Sequence, residues 1–225
     1  MVYWELKIVK MYRIVFLLLI SFLFFSCKEK SKDIIDMPYY NTPNFDPIFI
    51  NNKSHVVKQI THTIDQFSFL NQDSVTVTQA IFENKIHVAN FIFTTCGSIC
   101  PVMTSNLKIV GDSFKEDNEV VLLSFSVTPW IDRPYVLKNY KTKNGITNSN
   151  WHLLTGDRAS IYKLARQSYF AEENIGFSKD SSEFLHTEHV MLVDKTGRIR
   201  GVYNGTLSLE MQHLVEDIRS LKSEQ

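Results

Sequence analysis

The sequence predicts an α/β domain in which a central mixed sheet is flanked by helices. Two near-continuous apolar runs, residues 86–93 and 120–127, are typical of strands that are buried on both faces. Between them, apolar residues recur every three or four positions, as they do on one face of a helix. A strand, a helix and a second strand in this order predict a crossover connection, and this connection is typical of the α/β class.

Three helices are expected along this body. The first has Pro101 near its start, where proline is well tolerated. Its apolar stripe consists of Met103, Leu107, Val110 and Phe114. The second opens at Asp132 and Pro134, and we expect Asp132 to cap it, with a role around the nearby cysteine loop as the less favoured alternative. The third follows Asp157.

The last part of the chain predicts a hairpin and a helix. Two strand-like segments, residues 190–194 and 198–203, flank a turn at Lys195, Thr196 and Gly197. A final helix begins at Ser208. Its buried stripe is expected to be Met211, Leu214, Val215, Ile218 and Leu221. A crossover followed by a hairpin and a helix is the order of a thioredoxin-like fold.

The first 27 residues have the composition of an export signal. Lys7, Lys10 and Arg13 precede an apolar run over residues 14–25, which is followed by Ser26 and Cys27. A run of this length is too short to span a bilayer, which takes ~20 apolar residues. Its end resembles a lipoprotein signal, and we expect Cys27 to be lipidated and to be the anchor. A short transmembrane anchor is the alternative.

Domain limits follow from the change in composition along the chain. Residues 1–27 are predicted to be the signal, 28–55 a polar and proline-containing tether, and 56–225 the folded domain. Lys plus Arg and Asp plus Glu number 24 each, without a long basic run, which excludes a nucleic-acid binder. If Cys27 is acylated, the three cysteines of the chain leave one pair, Cys96 and Cys100.

The cysteine pair occupies a reactive position in this scheme. Cys96 is expected just past the end of a core strand and Cys100 at the start of the next helix, where the helix dipole favours the thiolate. Residues four apart on a helix have Cβ atoms ~5–6 Å apart, so a disulfide needs local adjustment and a bound metal ion does not. The spacing permits both and leans towards metal. The alternative is a disulfide that only stabilises the fold. A disulfide across so short a loop reduces the entropy of the unfolded chain only slightly, so it would stabilise the protein little.

Two histidines are candidates for a further ligand. His186 and His189 stand directly before the first strand of the hairpin, which should lie beside the first core strand, so that this loop reaches the cysteines. Two thiolates and one imidazole favour Cu(I), although zinc also accepts such ligands. Met103 and Met191 are expected in the core rather than on a metal. The other histidines are expected to be at the surface or locally satisfied, and Trp151 to pack in the interior; these histidines are His55, His62, His87, His152 and His213.

Several segments together resemble one known family. The sequences "VANFIFTTCGSICPVMTSNL", "LLSFSVTPWIDRPYVLKNY", "WHLLTG" and "HTEHVMLVDKTGRIRGVYNGT" are similar to successive motifs of the Sco/SenC copper chaperones. The resemblance covers roughly residues 59–221. It implies a membrane-tethered thioredoxin fold that binds copper through Cys96, Cys100 and His186. Gly97 stands where the family usually has proline, and it suggests a freer loop at the first thiolate.

The resemblance also implies a function. It is that of a copper chaperone, and not an enzyme, which delivers copper to the copper-accepting subunit of a cytochrome c oxidase. The copper is expected as Cu(I), with Cu(II) open. The expected location is the periplasmic side of an envelope membrane. The alternative is a thiol-disulfide oxidoreductase that reduces the cysteines of the acceptor, is itself restored by a thiol reductant protein, and does not require His186.

Overall fold

The computed structural model describes residues 37–50, 52–171 and 187–224. Two of the predicted functional residues, Cys27 and His186, lie outside these ranges, and so does the predicted export signal. Within the described ranges, each helix is too short or too polar to span a membrane.

Seven strands in the described residues form one mixed sheet in the order β2-β1-β5-β4-β3-β6-β7. The strands are β1 (Ser68–Asn71), β2 (Thr76–Thr78), β3 (Ile86–Ile92), β4 (Val120–Ser126), β5 (Trp151–Thr155), β6 (His189–Val193) and β7 (Ile199–Asn204). Strands β3, β4 and β5 are parallel to one another, while β1 pairs with β5 and β6 pairs with β3 in the antiparallel sense. The predicted mixed sheet and the predicted hairpin, β6 and β7, are therefore confirmed.

The described helices cover both faces of this sheet. They are α1 (Val56–Gln59), α2 (Ile99–Ser113), α3 (Pro134–Lys143), α4 (Arg158–Lys163) and α5 (Ser208–Ser223). A π-helical turn, Leu164–Ser168, continues α4, and 3-10 turns lie at Lys53–His55 and Gln79–Phe82. The predicted helices α2, α3, α4 and α5 are all present, and the apolar stripes predicted for α2 and α5 are buried.

The two faces of the sheet have different cores. Helices α2, α3 and α5 pack on one face, the helical face, which includes Val88 and Leu122 from the central strands. The other face, the aromatic face, buries Phe91 and Phe125 against the α4 region. Because β3 and β4 are buried along their whole length, their sequences read as continuous apolar runs rather than alternating ones.

Several loops that connect strands to helices lie at one end of the sheet. The carboxyl ends of β3, β4, β5 and β7 and the amino end of β6 meet there, because β6 is antiparallel to both of its neighbours. We call this end the site edge. At the opposite end, residues within the predicted tether contact the domain: Tyr40 N donates to Ile199 O over 3.0 Å, and Arg200 Nη2 donates to Met37 O over 2.8 Å.

Candidate metal centre

The two thiols lie at the site edge, where strand β3 leads into helix α2. Cys96 is in the connecting loop and Cys100 is the second residue of the helix, as the sequence predicts. The backbone N–H of Cys100 donates to Cys96 Sγ over 3.4 Å, so the Cys96 sulfur caps the start of the helix. Both thiols are free, and Cys96 is half-buried whereas only 3% of Cys100 is exposed.

The surroundings of the two thiols give them opposite acidities. Burial alone would raise the pKa of Cys96, but the N–H groups of the first helical turn and the Cys100 thiol stabilise the thiolate and lower the pKa overall. Burial raises the pKa of Cys100 to about 12, and the neighbouring Cys96 and Asp132 add to this effect while the Phe93 backbone opposes it. Cys96 therefore forms a thiolate readily. Cys100 keeps its proton until a cation binds to its sulfur or until the pair is oxidised to a disulfide.

Asp132 does not cap helix α3, so that prediction is wrong. The N-cap position is Arg133, and no side chain caps the helix there. The Asp132 side chain is instead completely buried at the carboxyl ends of strands β3 and β4. It accepts hydrogen bonds from the backbone and hydroxyl of Thr94, from Ser126 Oγ over 2.7 Å and from Thr128 Oγ1 over 2.9 Å.

This carboxylate ties the cysteine loop to the neighbouring strand. Thr94 stands two residues before Cys96, and Ser126 and Thr128 come from the carboxyl end of β4. A buried carboxylate is tolerated when several donors surround it, and such a network fixes the segments that supply the donors. Sequence reasoning missed all three hydroxyl residues. Their positions could have indicated this network, because the three residues follow or end two strands that the crossover connection makes neighbours.

A second polar contact joins helices α2 and α3 next to the thiols. Tyr140 Oη and Thr104 Oγ1 are 2.7 Å apart, and Thr104 is one helical turn beyond Cys100. Burial raises the pKa of the Tyr140 hydroxyl, while its hydrogen bond with Thr104 opposes that shift. The net rise keeps Tyr140 neutral, and the contact holds the first turns of α2 in place. This pair was not identified from the sequence either.

The start of β6 is attached to helix α2, as the expected approach of this loop to the cysteines requires. Gly205 N donates to Glu188 O over 2.8 Å, and Asn106 Nδ2 of helix α2 donates to Gly205 O over 3.0 Å. Thr187 and Glu188 directly follow His186 in the chain. The predicted third ligand lies outside the described residues, and the segment that directly follows it, Thr187 and Glu188, lies at the site edge.

His189 lies on the face of the sheet opposite helix α2. It has the same strand parity as Met191 and Val193, which pack in the core of the aromatic face, while Val190 and Leu192 face the helices. Its ring is in edge contact with Phe45, with 5.8 Å between ring centroids. The pairing of β6 with β3 and β7 fixes this direction. Among the described residues, no group of three His, Cys, Asp or Glu side chains is arranged to hold a metal ion.

Three residues predicted from the sequence to lie in the core, Met103, Met191 and Trp151, do pack in the interior. Met103 and Met191 are completely buried in the two cores. Trp151 packs in the interior, and its Nε1 donates to Ser124 Oγ over 2.9 Å.

His55 and His213 are exposed, and His62 Nε2 is 2.7 Å from Ser168 O, as predicted. The prediction is wrong in part for two histidines. His87 is completely buried and contacts Tyr169 Oη over 3.1 Å, but its Nδ1 has no hydrogen-bond partner among the described residues, and neither has the buried Nδ1 of His152.

The family of the chain follows from comparison with known proteins. Residues 56–223 match the family model described as SCO1/SenC. The chain belongs to the Sco/SenC family. The predicted thioredoxin-like α/β class is confirmed by the solved structures that it resembles.

Three of these structures indicate how close the similarity is. A SCO1/SenC family lipoprotein from Bacillus anthracis str. Ames is 29% identical, with a TM-score of 0.61, over 72% of this chain and 95% of its own. BsSco, a member of the Sco family of cytochrome c oxidase assembly proteins in which a disulfide switch was identified, is 28% identical, with a TM-score of 0.61, over 73% and 95%. Bradyrhizobium japonicum ScoI with copper bound is 24% identical, with a TM-score of 0.55, over 70% and 98%, which shows a common fold.

Proposed function

We propose that this protein is an envelope copper chaperone that binds copper through Cys96, Cys100 and His186 and delivers it to the copper-accepting subunit of a cytochrome c oxidase. The observation that carries the proposal is a pair of free thiols at the start of α2, one of which has a lowered pKa. Family membership, the assembly role stated for BsSco and the copper in ScoI support it.

Loading begins at the more exposed and more acidic thiol. The Cys96 thiolate is the first ligand for an incoming Cu(I), which prefers soft sulfur donors. The positive charge of the ion then replaces the proton of Cys100, whose burial otherwise keeps that proton in place. The neutral imidazole of His186 supplies the third ligand. Asp132 holds the loop before Cys96, so that little ordering is required when the ion arrives.

Release proceeds by exchange of ligands with the acceptor. Cys96 is the ligand that solvent and a partner can reach, whereas Cys100 lies beneath it in the helix. A ligand of the acceptor therefore displaces Cys96 first, and Cys100 recovers its proton as the ion leaves. The high pKa of Cys100 favours this last step, because the thiol is the stable form once the cation is gone.

The proposed location rests on the N-terminal segment. Residues 1–27 act as a lipoprotein signal, Cys27 carries the lipid, and the domain faces the periplasm; the B. anthracis neighbour is itself a lipoprotein. A Cys27→Ser variant should accumulate as the uncleaved precursor. Normal processing and lipid labelling of that variant would show that the anchor lies elsewhere.

Metal analysis of the reduced protein tests the function directly. The full chain in detergent, reduced and offered copper and zinc together, should retain one equivalent of copper. A Cys96→Ser, Cys100→Ser variant serves as the control and should retain none. The oxidised protein, with the Cys96 to Cys100 disulfide verified by thiol counting, should load copper only after reduction. Equal copper uptake by both redox forms would exclude the cysteines as ligands.

A thiol-disulfide oxidoreductase is the second candidate, because a half-buried thiol with a lowered pKa beside a buried thiol suits this chemistry. The Cys96 thiolate would attack an acceptor disulfide and release one acceptor thiolate. Cys100 would then displace the second acceptor sulfur, leaving a Cys96 to Cys100 disulfide and a reduced acceptor. A thiol reductant protein would restore the pair. A His186→Ala variant should keep this activity while losing copper.

A further inference from the structure

Large exposed apolar side chains are concentrated at the site edge, the end of the sheet that carries the thiols. Ten such side chains in the described residues are at least 40% exposed. Seven of them lie at the site edge. Leu70, opposite Thr155 at the carboxyl end of β5, is separated from the cysteine loop by strands β5 and β4. We call the other six the apolar rim: Val102, Trp130, Ile131, Tyr135, Leu207 and Leu209. The remaining three of the ten lie elsewhere: Phe49, Val57 and Val75. Exposed apolar residues scattered singly require no explanation, whereas a group around one site points to an interface.

The topology explains why these side chains share one end of the molecule. Val102, Tyr135 and Leu209 lie in the first turns of α2, α3 and α5, each of which begins where a strand ends at the site edge. Trp130 and Ile131 lie in the connection between β4 and α3. The bond from Thr94 to Asp132 holds the connection between β4 and α3 beside the cysteine loop, and the bond from Asn106 to Gly205 holds the connection between β7 and α5 against helix α2.

The Trp130 side chain of the rim is held in place before any partner arrives. The Arg158 guanidinium lies 4.9 Å from the centre of the Trp130 ring and 5.1 Å from that of Tyr162. Tyr162 Oη is in turn bonded to Val127 O over 2.9 Å. The indole is nevertheless 47% exposed. Ordered Trp, Tyr and Arg side chains of this kind contribute most of the affinity in protein interfaces.

We propose that the apolar rim is the docking surface for the copper-accepting protein, and that the acceptor borders its own metal ligands with apolar side chains. The inference rests on the proposed function, because exchange of ligands on one ion requires the acceptor to cover the surface around Cys96. The chain carries equal numbers of acidic and basic residues, so net charge provides little attraction. Apolar contact around the thiols supplies the affinity and excludes water from the exchange.

Two other occupants fit the structure less well. The described chain begins at the far end of the sheet, where Met37 O and Glu224, at the end of helix α5, both bind Arg200. The part of the chain that carries the proposed lipid anchor therefore joins the described domain at the end remote from the rim. A symmetric pair of copies joined through the rim would cover both thiol sites and would prevent loading.

The test compares paired substitutions inside and outside the rim. A Trp130→Ser, Tyr135→Ser variant of the full chain removes the two aromatic members. A Val57→Ser, Val75→Ser variant is the matched control, because these side chains are 71% and 56% exposed and lie towards the opposite end of the sheet. Each protein, in detergent and loaded with copper, is mixed with increasing amounts of the reduced, copper-free acceptor subunit, and the rate of transfer is measured.

The rim variant should bind one equivalent of copper, as the parent protein does, but should need at least tenfold more acceptor for half-maximal transfer. The control should be unchanged. Transfer by the rim variant at the parental concentration dependence would overturn the proposal, and so would a parental dimer that the rim substitutions dissociate without slowing transfer. If the parent binds no copper, the proposed function fails. In that case the acceptor concentration needed for half-maximal reduction of the acceptor disulfide is compared between the rim variant and the parent. If the two proteins do not differ tenfold, the docking-surface proposal is overturned whatever the function of the cysteines.

Discussion

Two buried polar side chains, one at the site edge and one in the aromatic face, illustrate how differently this fold treats its interior. Asp132 and His87 are both completely shielded from solvent. Asp132 accepts four hydrogen bonds from three residues on two chain segments. His87 stacks on Phe82 and bonds through Nε2 to Tyr169, while its Nδ1 has no hydrogen-bond partner.

Asp132 therefore positions neighbouring segments through its hydrogen bonds, whereas His87 only fills space in the core. The donors around Asp132 are aimed at a charge, and they connect the cysteine loop to strand β4. The environment of His87 rejects a charge, since burial lowers its pKa to about 3. Substitutions at Asp132 should therefore affect both stability and copper binding. Substitutions at His87 should affect the stability of the protein at acid pH and leave copper binding unchanged.

The largest effect is expected from Asp132→Ala. The substitution leaves the Thr94, Ser126 and Thr128 donors buried without their acceptor, which should cost about 3 kcal/mol of unfolding free energy. It should also weaken copper binding, because the loop before Cys96 is no longer fixed. Denaturant unfolding and copper titration measure the two effects. Asp157→Ala is the control, since Asp157 caps helix α4 at the surface, and it should leave copper binding unchanged.

The second effect is a loss of stability in acid that depends on His87. The folded pKa is about 3 and the ordinary value is 6.5, so between these values the unfolded chain binds a proton that the folded chain excludes. Stability therefore falls as the pH falls below about 6.5, by up to ~1.4 kcal/mol per pH unit and by about 2 kcal/mol at pH 5. His87→Gln should flatten this part of the profile in denaturant unfolding. An unchanged slope would contradict the assignment.

The third effect concerns the unequal thiols. Reduced, metal-free protein at neutral pH should be alkylated by iodoacetamide at Cys96 at least tenfold faster than at Cys100, because only Cys96 has a lowered pKa and access to solvent. Peptide mass spectrometry over a time course gives both rates. Copper should protect both residues. Faster modification of Cys100 would reverse the order of loading and release derived from these pKa shifts.

The smallest effect is expected at Gly97. A Cβ built there meets no atom within 4 Å, and the backbone is not in the left-handed region. Gly97→Ala should therefore stabilise the protein by about 0.5 kcal/mol, through a less disordered unfolded state. Gly111→Ala in helix α2 is the contrasting case, because its Cβ would lie 2.9 Å from the Trp151 ring. Thermal unfolding should show opposite shifts for the two variants.

Much of the architecture could be predicted because its causes are local or periodic. The continuous apolar runs predicted β3 and β4, and the alternation in β6 predicted the fixed direction of His189. The role of Asp132 could not be predicted in this way. Its position before Pro134 fits a helix cap, and its actual partners become neighbours only when two strands pair.

The acidity of the thiols was predicted only in part. Proximity to the start of a helix favours the thiolate at both positions, and this holds for Cys96. At Cys100, burial outweighs that effect and raises the pKa to about 12. The extent of burial depends on how the loop and strand β3 pack over the second thiol, which the local sequence does not determine.

The most direct test of the central proposal is copper titration of His186→Ala and His189→Ala in otherwise identical full-length chains, together with the assembly of active oxidase in cells. His189 is directed to the aromatic face beside Phe45, so its loss should leave copper binding and oxidase assembly close to those of the parent. His186→Ala should bind copper much more weakly and should not support assembly. Loss of copper from His189→Ala with retention by His186→Ala, or normal behaviour of both variants, would contradict the proposed ligand set.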